Sequence, residues 1–174
     1  MADAADIPDI PRPSQLWKQL DPDRKRQASE AFWRDEHAAN EQAEAINLIA
    51  QRIKFRLKSV VAMPSEKKTH YLLSMPAISE MLAARLLVAY HLAHQRPMMG
   101  AFLEALGIKH EDGLIAEEEV TPPTPDALQQ AARTIAASYP AGDVSLYLST
   151  LVWQDPDTWG ALADVPESKA VVGR

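Results

Sequence analysis

Apolar residues recur three or four positions apart through the second quarter of the chain: Ala39, Ala43, Ile46, Ile49, Ile53, Leu57 and Val60. At about 100° per residue this spacing gathers them on one side of a helix. The tract from Asp23 to Met63, 41 residues, contains neither proline nor glycine, so no residue in it obliges a helix to end. A helix over 38–62 is therefore expected, on the order of 37 Å long, at the centre of the fold. Within it, residues 52–58 alternate strictly between polar and apolar, which alone is the strand period. On a helical wheel, however, Ile53, Leu57 and Val60 continue the stripe, and Arg52, Lys54, Arg56 and Lys58 fall on its flanks, so helix is preferred.

A second periodic segment, 77–94, has Ile78, Met81, Leu82, Leu86, Ala89 and Leu92 on one face. Ala83, Leu87 and Tyr90 lie off that face. A helix apolar nearly all round belongs in the interior. Further helices are expected at Met98–Leu106, stopped by Gly107, and at 125–138, 143–154 and 156–163. Three of the starts share one signal, an acceptor followed by Pro-Asp: Asp21-Pro22-Asp23, Thr124-Pro125-Asp126 and Asp155-Pro156-Asp157. The acceptor can cap free amides, proline suits the first helical position, and the acid faces the positive end of the helix dipole.

These elements predict an all-α protein, a compact bundle of about seven or eight helices around a long central helix, with no β-sheet. The expected organisation is an extended N-terminal arm (1–13), a main helical bundle (14–108), an acidic, proline-containing loop (109–123), a C-terminal three-helix layer packed on the bundle (124–164) and a flexible tail (165–174).

Composition narrows the class. Of 174 residues, 47% are hydrophobic and 24% charged, ordinary values for a globular chain. The absence of cysteine removes disulfides, thiolate metal sites and Cys nucleophiles, and suits a cytoplasmic address. The opening MADAADIPDIPRP has acids and prolines where a secretory signal needs a basic stretch and an apolar run. The most apolar segment, 77–93, includes Glu80, Arg85 and His91, so no membrane span is expected. The net charge of −6 is unevenly spread: residues 1–99 hold 14 Lys and Arg against 12 Asp and Glu, whereas residues 100–174 hold 4 against 12. The acidic part should repel polyanions and favour basic partners.

Candidate chemistry is sparse. The chain lacks a Gly-x-x-x-x-Gly-Lys phosphate loop, Gly-x-Gly-x-x-Gly, His-Glu-x-x-His and Gly-x-Ser-x-Gly. His91 and His94, three apart on one helix face, could join Glu80 or the His110-Glu111-Asp112 group around a metal ion. The simpler reading is that both favour the negative end of the helix dipole and meet water. Arg85 lies within the apolar face of 77–94 and must be paired. Asp35, Glu36 and Glu104 are candidate partners, and an anion pocket is the alternative. Arg52, Lys54, Arg56, Lys58, Lys67 and Lys68 face a single acid, Glu66, between residues 52 and 68. That stretch could meet phosphates, an anionic membrane surface or an acidic protein, or serve only to flank the core stripe.

Overall acidity and few nearby aromatics, Phe55 and Tyr71, disfavour nucleic acid. The acids at 111–119 exclude a DNA-reading helix after Gly107, and Gly113-Leu114-Ile115 is expected as a short apolar return to the core. Tyr147, Trp153 and Trp159 suit core packing. The leading expectation is thus a non-enzymatic, cytoplasmic helical interaction or regulatory protein that meets another protein or itself. It would use Arg52, Lys54, Arg56, Lys58, Arg85 and the acidic run Glu117, Glu118 and Glu119, and it implies no cofactor. A metal-dependent helical enzyme using His91 and His94, and a nucleic-acid or anionic-surface binder through 52–68, are the alternatives.

Overall fold

All three Pro-Asp signals begin helices in the computed structural model, which describes residues 10–169. Asp21 Oδ1 accepts from the Arg24 amide at 2.9 Å, Thr124 Oγ1 from Ala127 at 3.2 Å and Asp155 Oδ1 from Thr158 at 3.2 Å. The Arg24 amide, then its guanidinium, hold the Asp21 carboxyl below its ordinary range. Among the described residues the fold is all-α, with ten α-helices, two 3-10 turns and one two-stranded hairpin. The hairpin corrects the expectation of no sheet, and the helix count exceeds the expected one in part because the segment 38–62 divides into two helices.

The contacts divide the chain into two units. The first, Pro13–His94, contains α1 (Pro13–Gln19), α2 (Pro22–Arg34), α3 (Ala39–Ile53), α4 (Leu57–Val61), α5 (Ser65–Leu73) and α6 (Glu80–His94). Helix α6 packs on α1, α2 and α3, and α5 on α2 and α3. The completely buried side chains here include Phe32, Ile49, Leu82, Leu86 and Leu87. Ser14 lies inside α1. Its amide and hydroxyl donate to the Glu80 carboxylate at 3.0 and 2.5 Å, so an acid at the start of α6 satisfies an open amide of α1. Met81, expected on the buried face, is 71% exposed, because it sits in the first turn of α6.

The long helix expected over 38–62 is broken. Helix α3 ends at Lys54, whose φ of 57° and ψ of 40° are left-handed, and the Phe55 amide donates to Ala50 O at 3.1 Å. Arg56 is extended before α4 begins. This is a helix stop of the kind glycine usually provides, and no glycine marked it in the sequence. Replacing Lys54 with Gly should relieve the left-handed backbone and stabilise the fold by about 1 kcal/mol, read as a melting temperature raised by about 2–4 °C. An unchanged or lower melting temperature would contradict a left-handed Lys54.

The second unit comprises, among the described residues, 10–12 and 95–169. It contains α7 (Arg96–Ala105), strands β1 (His110–Glu111) and β2 (Leu114–Ile115), α8 (Pro125–Ala136), α9 (Ala141–Gln154), α10 (Pro156–Trp159) and 3-10 turns at Gly160–Asp164 and Pro166–Lys169. Helix α8 packs on α7 and α9, and both 3-10 turns pack on α9. Phe102 of α7 lies at the centre, edge-on to Tyr147 at 5.6 Å and tilted to Trp159 at 6.0 Å. Burial raises the Tyr147 phenol above its ordinary range. Trp153 stands apart from this group and donates its indole N–H to Pro11 O at 2.9 Å. The expected arm is thus tied down at 10–12, while 1–9 lie outside the described residues. From 165 a tail was expected; Val165 and Ser168 are instead buried, and Ser168 Oγ donates to Leu162 O at 2.6 Å. Residues 170–174 lie outside the described residues.

Candidate partner-binding surfaces

The break after α3 decides what the basic stretch does. A continuous helix would keep Ile53 and Leu57 on the core stripe. The left-handed Lys54 redirects the chain, and Phe55, Leu57 and Val61 stand 52%, 51% and 57% exposed. Only Val60 of α4 is buried. Around these apolar side chains stand Arg52, Lys54, Arg56 and Lys58, all exposed. None has an ion-pair partner among the described residues. Lys68, by contrast, lies with its ammonium 4.7 Å from the Trp33 ring centre, a cation–π contact. The sequence carried one sign of the break, the strict alternation over 52–58.

Arg85 is not part of that surface. Its Nη2 lies 3.1 Å from Asp35 Oδ2, with the side chains 24% and 12% exposed. Asp35 is held where α2 ends, its Oδ1 accepting from the His37 amide at 2.9 Å. Gln42 Nε2 donates to the carbonyls of Phe32 and Asp35 at 2.7 and 2.9 Å. The pair joins α6 to the α2–α3 junction, so the arginine is ion-paired with a carboxylate of the fold.

His91 and His94 do not converge. The His91 ring is 2% exposed, and its Nδ1 lies 2.7 Å from Leu87 O. A carbonyl only accepts, so Nδ1 carries the proton. Burial outweighs the Leu87 hydrogen bond and pushes the imidazole down to about 4. This corrects the expectation that both histidines meet water. His94 is exposed, its ring 5.5 Å from that of Tyr90. Glu80 is engaged with Ser14. Among the described residues, no three His, Asp or Glu side chains are placed to hold a metal ion.

In the second unit the acidic segment is built rather than loose. Asp112 and Gly113 have φ of 49° and 83°, the left-handed pair of a tight hairpin turn. His110 pairs with Ile115 and Glu111 with Leu114. The Asp112-Gly113 dipeptide is the sequence signal of this turn. The hairpin lies tightly on α7. His110 Nδ1 accepts from the Gly113 amide at 3.0 Å, which leaves Nε2 to donate to Glu104 at 3.1 Å. A Cβ on Gly100 would come within 3.0 Å of His110 Cε1, and one on Gly113 within 2.9 Å of Arg96 O. Arg96 Nη1 lies 3.7 Å from Asp112 Oδ2.

Leu114 and Ile115 were expected to return to the core but are 44% and 40% exposed. The hairpin is seated through His110 and Gly113, and adjacent strand residues point to opposite faces, so Leu114 shares the face of Glu111 and Ile115 that of His110. Glu117 Oε1 accepts from the Lys109 amide at 3.0 Å, while Glu118 and Glu119 are exposed.

These surfaces belong to an all-α scaffold, none of whose described helices is long and apolar enough to cross a membrane. No family model, no curated protein and no solved structure matches the chain.

Proposed function

We propose that this is a non-enzymatic interaction protein that acts in the cytoplasm by protein–protein contacts, with the α3–α4 turn as its contact element. The observation that carries the reading is the exposure of Phe55, Leu57 and Val61 among Arg52, Lys54, Arg56 and Lys58. Fully covering such a side chain is worth about 1.5–3 kcal/mol. Three on one short turn supply a contact with an apolar centre, and the surrounding cations steer an acidic partner toward it. Arg85 does not serve this contact, since Asp35 holds it.

A photoreactive residue placed at position 55 in living cells tests the reading, with the same residue at exposed Gln130 as the control. A protein adduct of defined mass is expected from position 55 and not from 130, and it should disappear when Arg56 and Lys58 are both changed to Gln. No adduct at 55, the same adducts at 130, or adducts only with lipid or nucleic acid would reject it.

A further inference from the structure

We infer that the α3–α4 turn docks on the β1–β2 hairpin of a second copy of this chain. The inference rests on the interaction reading above and names the partner of that same surface. The large hydrophobic side chains exposed among the described residues are Phe55, Leu57, Val61, Met81, Leu114 and Ile115. Apart from Met81, three lie on the turn and two on the hairpin, Leu114 on the face of Glu111 and Ile115 on that of His110. Monomeric proteins scatter such residues; gathered patches mark contact sites.

The two patches carry opposite charge. On the turn, Arg52, Lys54, Arg56 and Lys58 have no ion-pair partner among the described residues, and beside the hairpin Glu118 and Glu119 have none either. Joining them covers apolar side chains on both and sets the cations of the turn against Glu118 and Glu119. An anionic bilayer would take the turn but repel the segment 100–174, with its 12 acids against 4 cations.

Both patches are preset by backbone geometry, so little ordering cost opposes docking. The turn is fixed by the Phe55 amide on Ala50 O. The hairpin is fixed by His110 between Gly113 and Glu104. The contact joins different patches, so a two-fold dimer would form it twice, and any other arrangement would extend head to tail.

Sedimentation of the purified full chain at low salt, over a range of concentrations, tests the inference with two charge-reversed variants. One carries Arg56→Glu with Lys58→Glu, the other Glu118→Lys with Glu119→Lys. All four positions are exposed, and circular dichroism confirms that each variant folds. The unmodified chain should self-associate, and each variant alone should associate at least about tenfold more weakly. An equal mixture of the two should associate again, because reversed turn meets reversed hairpin and native turn meets native hairpin.

A chain that stays monomeric at every concentration overturns the inference, as does self-association indifferent to both reversals. So does a monomer that binds phosphatidylglycerol vesicles through the turn. A monomer whose position 55 still crosslinks to a different protein rejects the second copy while leaving the interaction reading intact.

Discussion

Gly113→Ala should destabilise the protein by about 3 kcal/mol. Two separate costs meet at this residue. Its φ of 83° is a conformation that alanine adopts only with strain, worth about 1 kcal/mol or more. The added methyl would also stand 2.9 Å from both Arg96 O and Met99 Cβ. The carbonyl belongs to the first turn of α7 and cannot retreat as a flexible side chain would, so overpacking adds about 1–3 kcal/mol.

Gly107 separates the two costs, because its φ is 69° and a methyl there would meet nothing within 4 Å. Urea unfolding should therefore show Gly107→Ala losing only the backbone part, about 1 kcal/mol. The difference of about 2 kcal/mol measures the close approach of hairpin to helix. Equal losses in the two variants would mean that the hairpin does not rest on α7 as described. The same substitution also bears on binding, since a displaced hairpin no longer presents Leu114 and Ile115 from a fixed position.

The second large effect is a loss of stability in acid traced to His91. Burial pushes its imidazole from the ordinary 6.5 down to about 4 in the folded chain. Between those values the unfolded chain binds a proton that the folded chain does not, so stability falls as pH falls. The contribution is intact above pH 6.5, declines below it, and is fully lost once pH drops through 4. Its full size is about 3 kcal/mol, of which about 2 should be gone at pH 5.

Carboxylates titrate in the same range, so the measurement must be a difference. Urea midpoints of the unmodified protein and of His91→Asn, compared at pH 7 and pH 5, should show the unmodified protein losing about 2 kcal/mol more. The Asn amide nitrogen stands where Nδ1 does and can donate to Leu87 O. Parallel pH dependences would contradict a buried, neutral His91.

The residues that read correctly and those that did not differ in the range of the forces involved. Asp21, Thr124 and Asp155 cap their helices through an amide three residues on, and Gly107 ends α7 with the Ile108 amide on Leu103 O. Each of these interactions lies within six residues of chain. Arg85 needed a carboxylate for a reason equally visible in the sequence, its place on an apolar face, and Asp35 was among the few acids available. The candidate surfaces were legible only as charge. Arg52, Lys54, Arg56, Lys58 and Glu117, Glu118 and Glu119 could be named, but not the apolar residues beside them, because Leu57 and Ile115 look like core residues in any local pattern.

By itself, then, the sequence determined the all-α class, most helix starts and stops and the separation of charge, because these follow from local hydrogen bonding and composition. Tertiary structure decided where the long helix breaks, that His91 is buried, and that Leu114 and Ile115 are exposed. A left-handed Lys54 costs only about 1 kcal/mol, which burial of Ala50 and Val60 can offset. Once one residue flips, every side chain after it points elsewhere. Exposure at the turn and the hairpin thus depends on contacts far along the chain.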